Sequence, residues 1–397
     1  MSENVDVVVL GAGISGLCLA HRLARAGREV LVLESTAKPG GCVHSEAKPD
    51  GFWFEMGAHT LYNSYGSLLS IVDELGLRDR MLTRRRAPFR MLVEGKLRSI
   101  LSQLSLAELF VSAWHALRER KQGQTVAEYY GKLVGRQNWK RVFAPLFATV
   151  LSQPAENFPA EILFKKRPRR KDIPRSFTFA GGIQTLTDRI AAEPGITLRT
   201  NAAARALARK DGGFVVEIAG GDRVVARRLA LALPAPEAAG LLAPLAPEIA
   251  TILARIHVAK IESVGVVAES RHLRLPRLAG IVPVNDSFFS VVTRDVVPDQ
   301  SLRAFTFHFR PGLPLDQRID RICNVTGLSR AELAHVATHV SCLPALSLGH
   351  AGIAEEIDRY LPGSGLSITG NYFGGLAIED CSLRSAKEAN RLLAELQ

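Results

Sequence analysis

The chain has 397 residues, of which 47% are hydrophobic and 22% are charged, and its formal net charge is +11. This length can bury more than one hydrophobic core, and the composition is that of a globular protein without low-complexity tracts or fixed-period repeats. No apolar run reaches the roughly 20 residues that span a bilayer, so any membrane contact is expected to be peripheral.

Residues 5–34 predict a strand, a helix and a second strand. They read VDVVVLGAGISGLCLAHRLARAGREVLVLE. The valine-rich run Val5–Leu10 is typical of a buried parallel strand. An amphipathic helix follows from Gly16 to about Ala26, and Glu29–Leu33 is the second strand. The unit therefore favours a Rossmann-like α/β domain.

Three glycines and one acid in this unit predict a dinucleotide site. Gly11, Gly13 and Gly16 follow the GxGxxG spacing. In that spacing the first glycine permits a tight turn, the second lets the backbone approach a pyrophosphate, and the third lets helix and strand pack closely. The helix N terminus would direct its free N–H groups at the phosphates. Glu34 is placed to accept hydrogen bonds from an adenosine ribose, which disfavours NADP.

The segment after Glu34 indicates whether the dinucleotide is a flavin or a nicotinamide cofactor. It contains a second glycine pair in STAKPGGCVHS, and FWFEMGAHTLY follows. This arrangement resembles the flavin-dependent amine oxidase and protoporphyrinogen oxidase superfamily, in which a basic residue, two glycines and another basic residue follow the acid. Lys38, Gly40 and Gly41 match, whereas Cys42 stands where the family usually has arginine. The resemblance implies FAD, bound non-covalently.

The middle of the chain predicts a hairpin, a helical region and further strands. RAPFRMLVEGKLRSIL (Arg86–Leu101) alternates like an antiparallel hairpin around the turn Glu94–Gly95. The pattern is helical from Ser105 to about Leu151, and residues 256–309 indicate sheet.

The segment GNYFGGLAIEDC (370–381) resembles a stretch that lies along the isoalloxazine and ribityl chain in the family. The pair Gly374–Gly375 would let the backbone run against the flavin, and a helix opening at about Leu376 would face the pyrimidine ring. The predicted cofactor contacts share glycine-rich turns or element ends near the dinucleotide, and they are Gly11, Gly13, Ile14, Ser15, Gly16, Glu34, Ser35, Lys38, Gly40, Gly41, Cys42, Gly57, Ala58, His59, Ala203, Gly370, Asn371, Gly375 and Asp380.

The resemblance covers nearly the whole chain and implies an interleaved architecture. It predicts an α/β fold with a Rossmann-like FAD-binding domain of the glutathione-reductase type, a mixed-sheet substrate domain and a helical cap. The FAD-binding domain would comprise residues 1–75, 176–255 and 350–397, the substrate domain residues 76–100 and 256–349, and the cap residues 101–175.

The resemblance also implies a substrate site. In the porphyrinogen oxidases the predicted hairpin floors that site, and an arginine at the start of its first strand, here Arg90, pairs with a substrate propionate. A guanidinium matches a carboxylate in bidentate geometry, so the residue type suits an acidic, apolar substrate. The expected substrate contacts are Arg90, His59, His308 and Arg310.

The implied reaction belongs to porphyrin biosynthesis. A hydride would pass from a reduced, carboxylate-bearing tetrapyrrole to flavin N5, and dioxygen would reoxidise the flavin. Three alternatives stay open: a desaturase or amine oxidase acting on another apolar or cationic substrate, a redox-neutral flavin enzyme such as a sugar-nucleotide mutase, and a non-catalytic flavoprotein. No catalytic dyad is predicted, because an oriented flavin carries the chemistry.

Two basic clusters, Arg84–Arg86 and Lys165–Lys171, attract anionic lipids or acidic substrates. The aromatic residues that single-strand binders interleave with basic ones are missing, so no nucleic acid is expected. In the family the helical cap can rest on a membrane, and the basic segment Lys165–Lys171 suits that role. The start MSENVDVVVL has no basic segment before its apolar run, which predicts a cytoplasmic protein with peripheral contact at the inner face of the membrane.

The five cysteines are scattered without a CxxC pair, which predicts free thiols in a reducing compartment and no structural zinc. Cys42 beside a flavin could be redox-active or simply a small buried side chain. His335 and His339 are spaced i, i+4 on a predicted helix, but no third ligand is evident, and no metal is expected.

Overall fold

A computed structural model of the chain describes residues 3–396. The strands, in chain order, are β1 (Glu3–Leu10), β2 (Val30–Leu33), β3 (Ser45–Ala47), β4 (Trp53–Glu55), β5 (Leu61–Tyr62), β6 (Met81–Thr83), β7 (Phe89–Val93), β8 (Lys96–Ser99), β9 (Ser176–Phe179), β10 (Ile196–Arg199), β11 (Ala204–Lys210), β12 (Gly213–Ile218), β13 (Arg223–Leu231), β14 (Val258–Glu269), β15 (Gly280–Pro283), β16 (Phe288–Thr293), β17 (Leu302–Phe309), β18 (His335–Pro344) and β19 (Leu366–Ile368).

The α-helices are α1 (Ile14–Arg25), α2 (Gly66–Glu74), α3 (Leu106–Ser112), α4 (Val126–Val134), α5 (Arg136–Asn138), α6 (Ala144–Leu151), α7 (Gln184–Ala191), α8 (Ala235–Leu242), α9 (Pro247–Leu253), α10 (Leu315–Thr326), α11 (His350–Tyr360) and α12 (Ile378–Glu395). The predicted strand–helix–strand unit is confirmed, with the helix starting two residues earlier than predicted, at Ile14.

The first large sheet is mostly parallel and draws its strands from three distant parts of the chain. Its order is β10-β2-β1-β13-β12-β11, and β19 pairs with β13. Strands β1, β2, β10, β13 and β19 are parallel, whereas β11 and β12 are antiparallel additions. All four residues of β2 are buried, as expected for a parallel strand that helices cover on both faces.

The register of this sheet aligns four strand ends. Leu10 of β1 pairs with Leu33 of β2 and with Leu231 of β13, and Leu231 pairs with Ile368 of β19. The carboxyl ends of these strands therefore share one edge. In open α/β sheets that edge is where ligands bind, so the fold itself selects the region that contains the site.

The second large sheet is mixed, with the order β18-β14-β17-β16-β15-β7-β8. Its β7–β8 hairpin confirms the prediction, since Val93 pairs with Lys96 across Glu94 and Gly95. Those two residues have φ of 48° and 75°, the positive values that a tight two-residue hairpin turn requires. Strand β7 joins the sheet by pairing in parallel with β15.

Helices α3 to α6 form the region that the sequence predicted to be helical. Helix α4 begins at a capping box in which Thr125 and Glu128 bond to each other's backbone N–H groups. Helix α6 is anchored to the second sheet because the Thr149 hydroxyl donates to the Phe289 carbonyl at 2.9 Å. Between residues 3 and 396, no helix combines the length and apolarity needed to cross a membrane.

The prediction that His335 and His339 lie on a helix is wrong. Both belong to β18, where they pair with Val267 and Ser263 of β14. Even spacings place residues on one face of a strand, so the i, i+4 pattern was equally compatible with β structure. Within the described part of the chain, no group of three or more His, Cys, Asp or Glu side chains is arranged to hold a metal ion.

Candidate flavin and substrate site

The turn after β1 has a geometry that only glycine tolerates. Gly11 has φ of +98°, and a Cβ atom there would lie 2.7 Å from the Ala232 carbonyl oxygen. A Cβ atom at Gly16 would lie 2.0 Å from the Gly11 carbonyl oxygen. Both distances are too short for any Cβ atom. The fold therefore requires glycine at positions 11 and 16.

The second glycine pair lies directly against this turn. The Gly40 N–H donates to the Ala12 carbonyl at 2.8 Å, and Gly40 forms a β-bridge with Gly13. A Cβ atom at Gly41 would lie 3.2 Å from the Gly13 Cα atom, whereas one at Gly13 would have nothing within 4 Å. The two glycine clusters are thus layered, and the space beside Gly13 is open.

Helix α1 starts at this open space without a capping side chain. Its N-cap is Gly13, no side-chain hydrogen bond caps it, and its first turn holds no acidic residue. Free N–H groups and the helix dipole make such an end a site for an anion.

Glu34, at the end of β2, is only 8% exposed and is held rigidly. Its Oε2 atom accepts the Ala12 N–H at 2.9 Å, and its Oε1 atom accepts the backbone N–H and the hydroxyl of Thr36, each at 2.8 Å. A carboxylate oxygen has lone pairs for further donors. An oriented buried carboxylate beside an uncapped helix end fits a dinucleotide.

The carboxy-terminal segment returns to the same place. The Ser385 hydroxyl on α12 donates to the Ser15 carbonyl on α1 at 2.7 Å. The Glu379 carboxylate accepts the N–H groups of Ser67 and Leu68 at 2.8 and 3.0 Å, which caps helix α2. The tail therefore lies against the first nucleotide turn, as the sequence predicted.

Asp380 is bound by the basic segment. Its Oδ1 atom accepts Lys165 Nζ at 3.2 Å and Arg167 Nη2 at 2.7 Å, and the side chain is 7% exposed. A Cβ atom at Gly375 would lie 2.8 Å from Asp380 Oδ2. Two cations thus neutralise the acid in the first turn of α12.

A cavity of about 810 Å³ lies between residues 57–59, the start of α12 and the second sheet. Its apolar lining includes Trp53, Phe54, Phe89, Val150, Phe158, Ile162, Phe164, Val292 and Leu376. Its charged lining consists of Glu55, Arg84, Lys165, Lys166, Arg167, Arg169, Arg294 and Asp380. Basic side chains outnumber acidic ones, so the cavity favours an anionic ligand with a large apolar body.

Two arginines, Arg84 and Arg294, lie in the cavity wall. Arg294 Nε donates to the Trp53 carbonyl at 2.9 Å, and its guanidinium lies 4.1 Å from the Trp53 ring centre. Its Nη1 atom is buried and has no hydrogen-bond partner in the part of the chain that the structure describes. Burial lowers the pKa of Arg294 to about 10, partly offset by Asp299 and Glu55.

Arg84 lies in the same wall and is half-buried. Burial lowers its pKa, although the charge of Glu55 opposes the shift. Sequence reasoning noted Arg84 only as part of a basic cluster and missed Arg294, which follows β16. The signal that could have found Arg294 is its position at a strand end beside the predicted site.

Of the predicted substrate contacts, only His59 lines the cavity. Arg90 follows Phe89, which does line it, and successive side chains of a strand point to opposite faces. His308 is 2% exposed and bonds to the Ser290 hydroxyl at 2.8 Å through Nδ1. The Arg310 guanidinium lies 4.0 Å from the Phe289 ring centre. The fold therefore keeps Arg90, His308 and Arg310 out of the cavity wall.

The other predicted cofactor contacts are distributed around Glu34 and the cavity. The Ser35 hydroxyl donates to Glu34 at 3.2 Å, and the Ala202 N–H donates to the Glu34 carbonyl, which brings Ala203 close. The side chain of Lys38 is exposed. Ala58 and Gly57 line the cavity, and Gly370 and Asn371 follow the end of β19.

The environment of Cys42 does not activate its thiol. Burial raises the pKa of its thiol, and Sγ lies 3.9 Å from the Cys342 carbonyl. Cys42 is half-buried, and a protonated thiol is a weak nucleophile, so the geometry favours a packing role over a redox-active one. Cys381 faces Ser15 on α1, and burial raises the pKa of Cys381 to about 12.

Comparison with known proteins gives partial sequence matches and full-length structural ones. A 15-cis-phytoene desaturase of Narcissus pseudonarcissus is 38% identical over 79 residues, which are 20% of this chain and 14% of that protein. A mitochondrial protoporphyrinogen oxidase of Nicotiana tabacum is 40% identical over 79 residues, 20% of this chain and 16% of that protein. The chain thus matches only a small part of the length of these relatives.

Solved structures share the fold along the whole chain. A candidate protoporphyrinogen oxidase from Exiguobacterium sp. 255-15 superposes with a TM-score of 0.80 at 18% identity, covering 100% of this chain and 99% of that one. A reduced UDP-galactopyranose mutase gives 0.74 at 16% identity, covering 98% and 96%. The cyclohexylamine oxidase of Brevibacterium oxydans IH-35A gives 0.71 at 16% identity, covering 99% of both chains.

The family assignment rests on a longer match. Residues 14–310 match the family described as flavin containing amine oxidoreductase, which is most of the chain and includes the helix of the nucleotide turn. The layered glycines, the uncapped helix end and the oriented Glu34 suit FAD, the cofactor of this fold. The chain therefore belongs to the flavin containing amine oxidoreductase family.

Proposed function

We propose that this FAD-dependent oxidoreductase oxidises a reduced, apolar substrate that carries carboxylates, with a porphyrinogen as the leading candidate. The observation that carries the proposal is the arginine pair, Arg84 and Arg294, in the wall of an otherwise largely apolar cavity. Both arginines are half-buried, burial lowers the pKa of each guanidinium, and Nη1 of Arg294 has no hydrogen-bond acceptor among residues 3–396. A substrate carboxylate would supply one.

Bound FAD would supply a hydride acceptor at N5 that dioxygen can reoxidise. The backbone of Gly11–Gly16 and the N terminus of α1 would hold its pyrophosphate, and Glu34 would hold the ribose. Residues 57–59 and 374–380 would flank the isoalloxazine. The aromatic and aliphatic cavity wall excludes water and orients a flat substrate, while the arginine pair positions its carboxylates.

A polyene desaturase is the second candidate, because many apolar side chains line the cavity and a matched relative is named a phytoene desaturase. A desaturase acting on a neutral hydrocarbon leaves the two arginines without a role. An amine oxidase is disfavoured, because a cationic substrate would meet six basic lining residues, Arg84, Lys165, Lys166, Arg167, Arg169 and Arg294.

The test is anaerobic reduction of the flavin. Purified protein is mixed with protoporphyrinogen, coproporphyrinogen, phytoene, an alkylamine or a UDP-sugar, and the flavin absorbance is followed. We expect bleaching by one or both porphyrinogens and none by the amine or the UDP-sugar. Bleaching by phytoene with no response to either porphyrinogen would replace the proposal by the desaturase, and a protein that binds no FAD would end it.

We also propose that the helical region makes peripheral contact with an anionic membrane at its cytoplasmic face. Leu106, Phe110 and Val111 on α3 are 73%, 85% and 69% exposed, and Trp114 just after it is 51% exposed. Arg118 lies 5.0 Å from the Trp114 ring centre, so a cation accompanies the apolar group. Exposed aromatic and aliphatic side chains next to basic ones are typical of interfacial helices.

Sedimentation with vesicles of phosphatidylglycerol and phosphatidylcholine tests this contact. Because burying one phenylalanine side chain contributes about 1.5–3 kcal/mol, Phe110→Ser should weaken binding by roughly ten- to 150-fold. The matched control is Leu315→Ser, an exposed apolar residue on α10, which should leave binding unchanged. Equal binding by wild type and Phe110→Ser would refute the contact.

A further inference from the structure

His59 has one ring nitrogen committed to the protein and one free. Its Nε2 atom lies 2.7 Å from the Cys42 carbonyl oxygen. A carbonyl oxygen only accepts hydrogen bonds, so Nε2 must carry the proton and Nδ1 must hold a lone pair. Nδ1 has no partner among residues 3–396, and the side chain lines the cavity.

The backbone around His59 is shaped to hold this ring. The His59 N–H donates to the Gly57 carbonyl at 2.9 Å. A Cβ atom at Gly57 would lie 2.5 Å from His59 Nε2. Gly57 is therefore required because the imidazole packs on its Cα, and the same turn directs Nε2 at Cys42.

The carboxylates that line the cavity already accept hydrogen bonds or are paired with cations, although burial raises the pKa of Glu55. Glu55 already accepts the Ser45 hydroxyl at 2.7 Å and the Ile183 N–H at 3.0 Å. Asp380 is paired with two cations. The arginines and lysines are cationic, and burial raises the pKa of Tyr65. His59 differs from these groups because it lines the cavity and the lone pair on its Nδ1 atom accepts no hydrogen bond from residues 3–396.

We propose that His59 is a catalytic residue that accepts a proton from the substrate through Nδ1. This inference rests on the proposed function, and it adds a specific acid–base residue to a reaction otherwise carried by the flavin. Oxidation of a porphyrinogen breaks one carbon–hydrogen bond and one nitrogen–hydrogen bond and forms a new double bond. The hydride leaves for the flavin, and the proton forms a bond to Nδ1, giving an imidazolium.

The imidazolium then returns its proton when dioxygen is reduced to hydrogen peroxide, so the histidine is neutral again before the next turnover. Protons and electrons balance over the cycle. The substrate loses a hydride and a proton, and dioxygen receives both. Neither a metal ion nor a second reductant is needed for this balance.

The surroundings keep His59 neutral between turnovers. Burial lowers its pKa, and the hydrogen bond to Cys42 only partly offsets this. Burial lowers the pKa of His308 to about 4 and also lowers that of His339, and a charge on His59 would lower both further. The Cys42 thiol stays protonated because burial raises its pKa. Without a carboxylate in contact, the imidazolium is unstable and releases its proton readily.

The variant His59→Gln distinguishes the role of Nε2 from the role of Nδ1. The glutamine amide can still donate to the Cys42 carbonyl in place of Nε2–H, but it offers no base in place of Nδ1. We expect its anaerobic bleaching rate with the porphyrinogen that reduces wild type to fall by about 10²- to 10⁴-fold, the usual contribution of a positioned base. FAD content should stay unchanged, and added imidazole should restore part of the rate. The control is His257→Gln, an exposed histidine, which should bleach like wild type.

A second measurement does not depend on turnover. In holoenzyme labelled with ¹⁵N-histidine, the two-bond ¹H–¹⁵N correlations that disappear in His59→Gln should show the Nε2–H tautomer at neutral pH. A protonated Nδ1 would overturn the inference. Bleaching at the wild-type rate in His59→Gln would overturn it too, while leaving the proposed function intact. Failure of wild type to bleach with either porphyrinogen would instead overturn the proposed function, and this inference with it.

Discussion

Replacing Arg294 by methionine is the sharpest test of carboxylate binding. Methionine keeps the length and apolar stem but removes the guanidinium. In the protein alone the change should cost little stability. The lost hydrogen bond to the Trp53 carbonyl, about 1 kcal/mol, is offset because a desolvated cation with a buried, unpaired Nη1 is removed. We therefore expect the midpoint of thermal unfolding to change by only a few degrees.

Substrate binding should respond much more strongly. A hydrogen bond between a guanidinium and a carboxylate contributes about 1.5–3 kcal/mol, which corresponds to a rise in KM of roughly ten- to 150-fold. The assay is steady-state oxidation of the acidic porphyrinogen and of its methyl ester. Because the ester carries no carboxylate charge, Arg294→Met should change its KM by less than about threefold.

Arg90 provides the matched comparison. The sequence predicted that Arg90 binds the propionate, whereas the structure places Phe89 rather than Arg90 in the cavity wall. A raised KM in Arg90→Met with none in Arg294→Met would refute the reasoning from the cavity. Equal effects of Arg294→Met on acid and ester would also refute it, because the contact would then not be electrostatic.

Two further predictions concern the fold around the site. In Gly16→Val the new side chain would start 2.0 Å from the Gly11 carbonyl oxygen. We therefore expect loss of bound FAD, measured by flavin absorbance, and a lower unfolding temperature, measured by calorimetry. The control Gly66→Ala should keep its FAD, because a Cβ atom at Gly66 meets nothing within 4 Å. Burial lowers the pKa of His308 from 6.5 to about 4, so between these values the unfolded chain binds a proton that the folded chain does not. The free energy of unfolding should therefore fall as pH is lowered through this window, by up to about 1.4 kcal/mol per pH unit, and a slope in His308→Gln equal to that of wild type would contradict this.

The nucleotide unit was predictable because its determinants are local. The residues that make β1, the turn at Gly11–Gly16, α1 and β2 are consecutive, and a Cβ atom at Gly16 would meet the Gly11 carbonyl oxygen of the same turn. The hairpin at Glu94 and Gly95 was predictable for the same reason. His335 and His339 were misplaced because their even spacing fits a helix turn and a strand face alike.

The sequence by itself determined the glycine turn after β1, the acid at the end of β2 and the glycine-rich tail, because glycine and strand–helix periodicity are properties of short segments. Only the tertiary structure decided which charged groups line the cavity. Arg84 follows β6, Arg294 follows β16, and the basic segment reaches Asp380 across more than 200 residues. Strand pairing and the alternation of side chains across a sheet turn Phe89 toward the cavity rather than Arg90, and no local pattern contains that pairing.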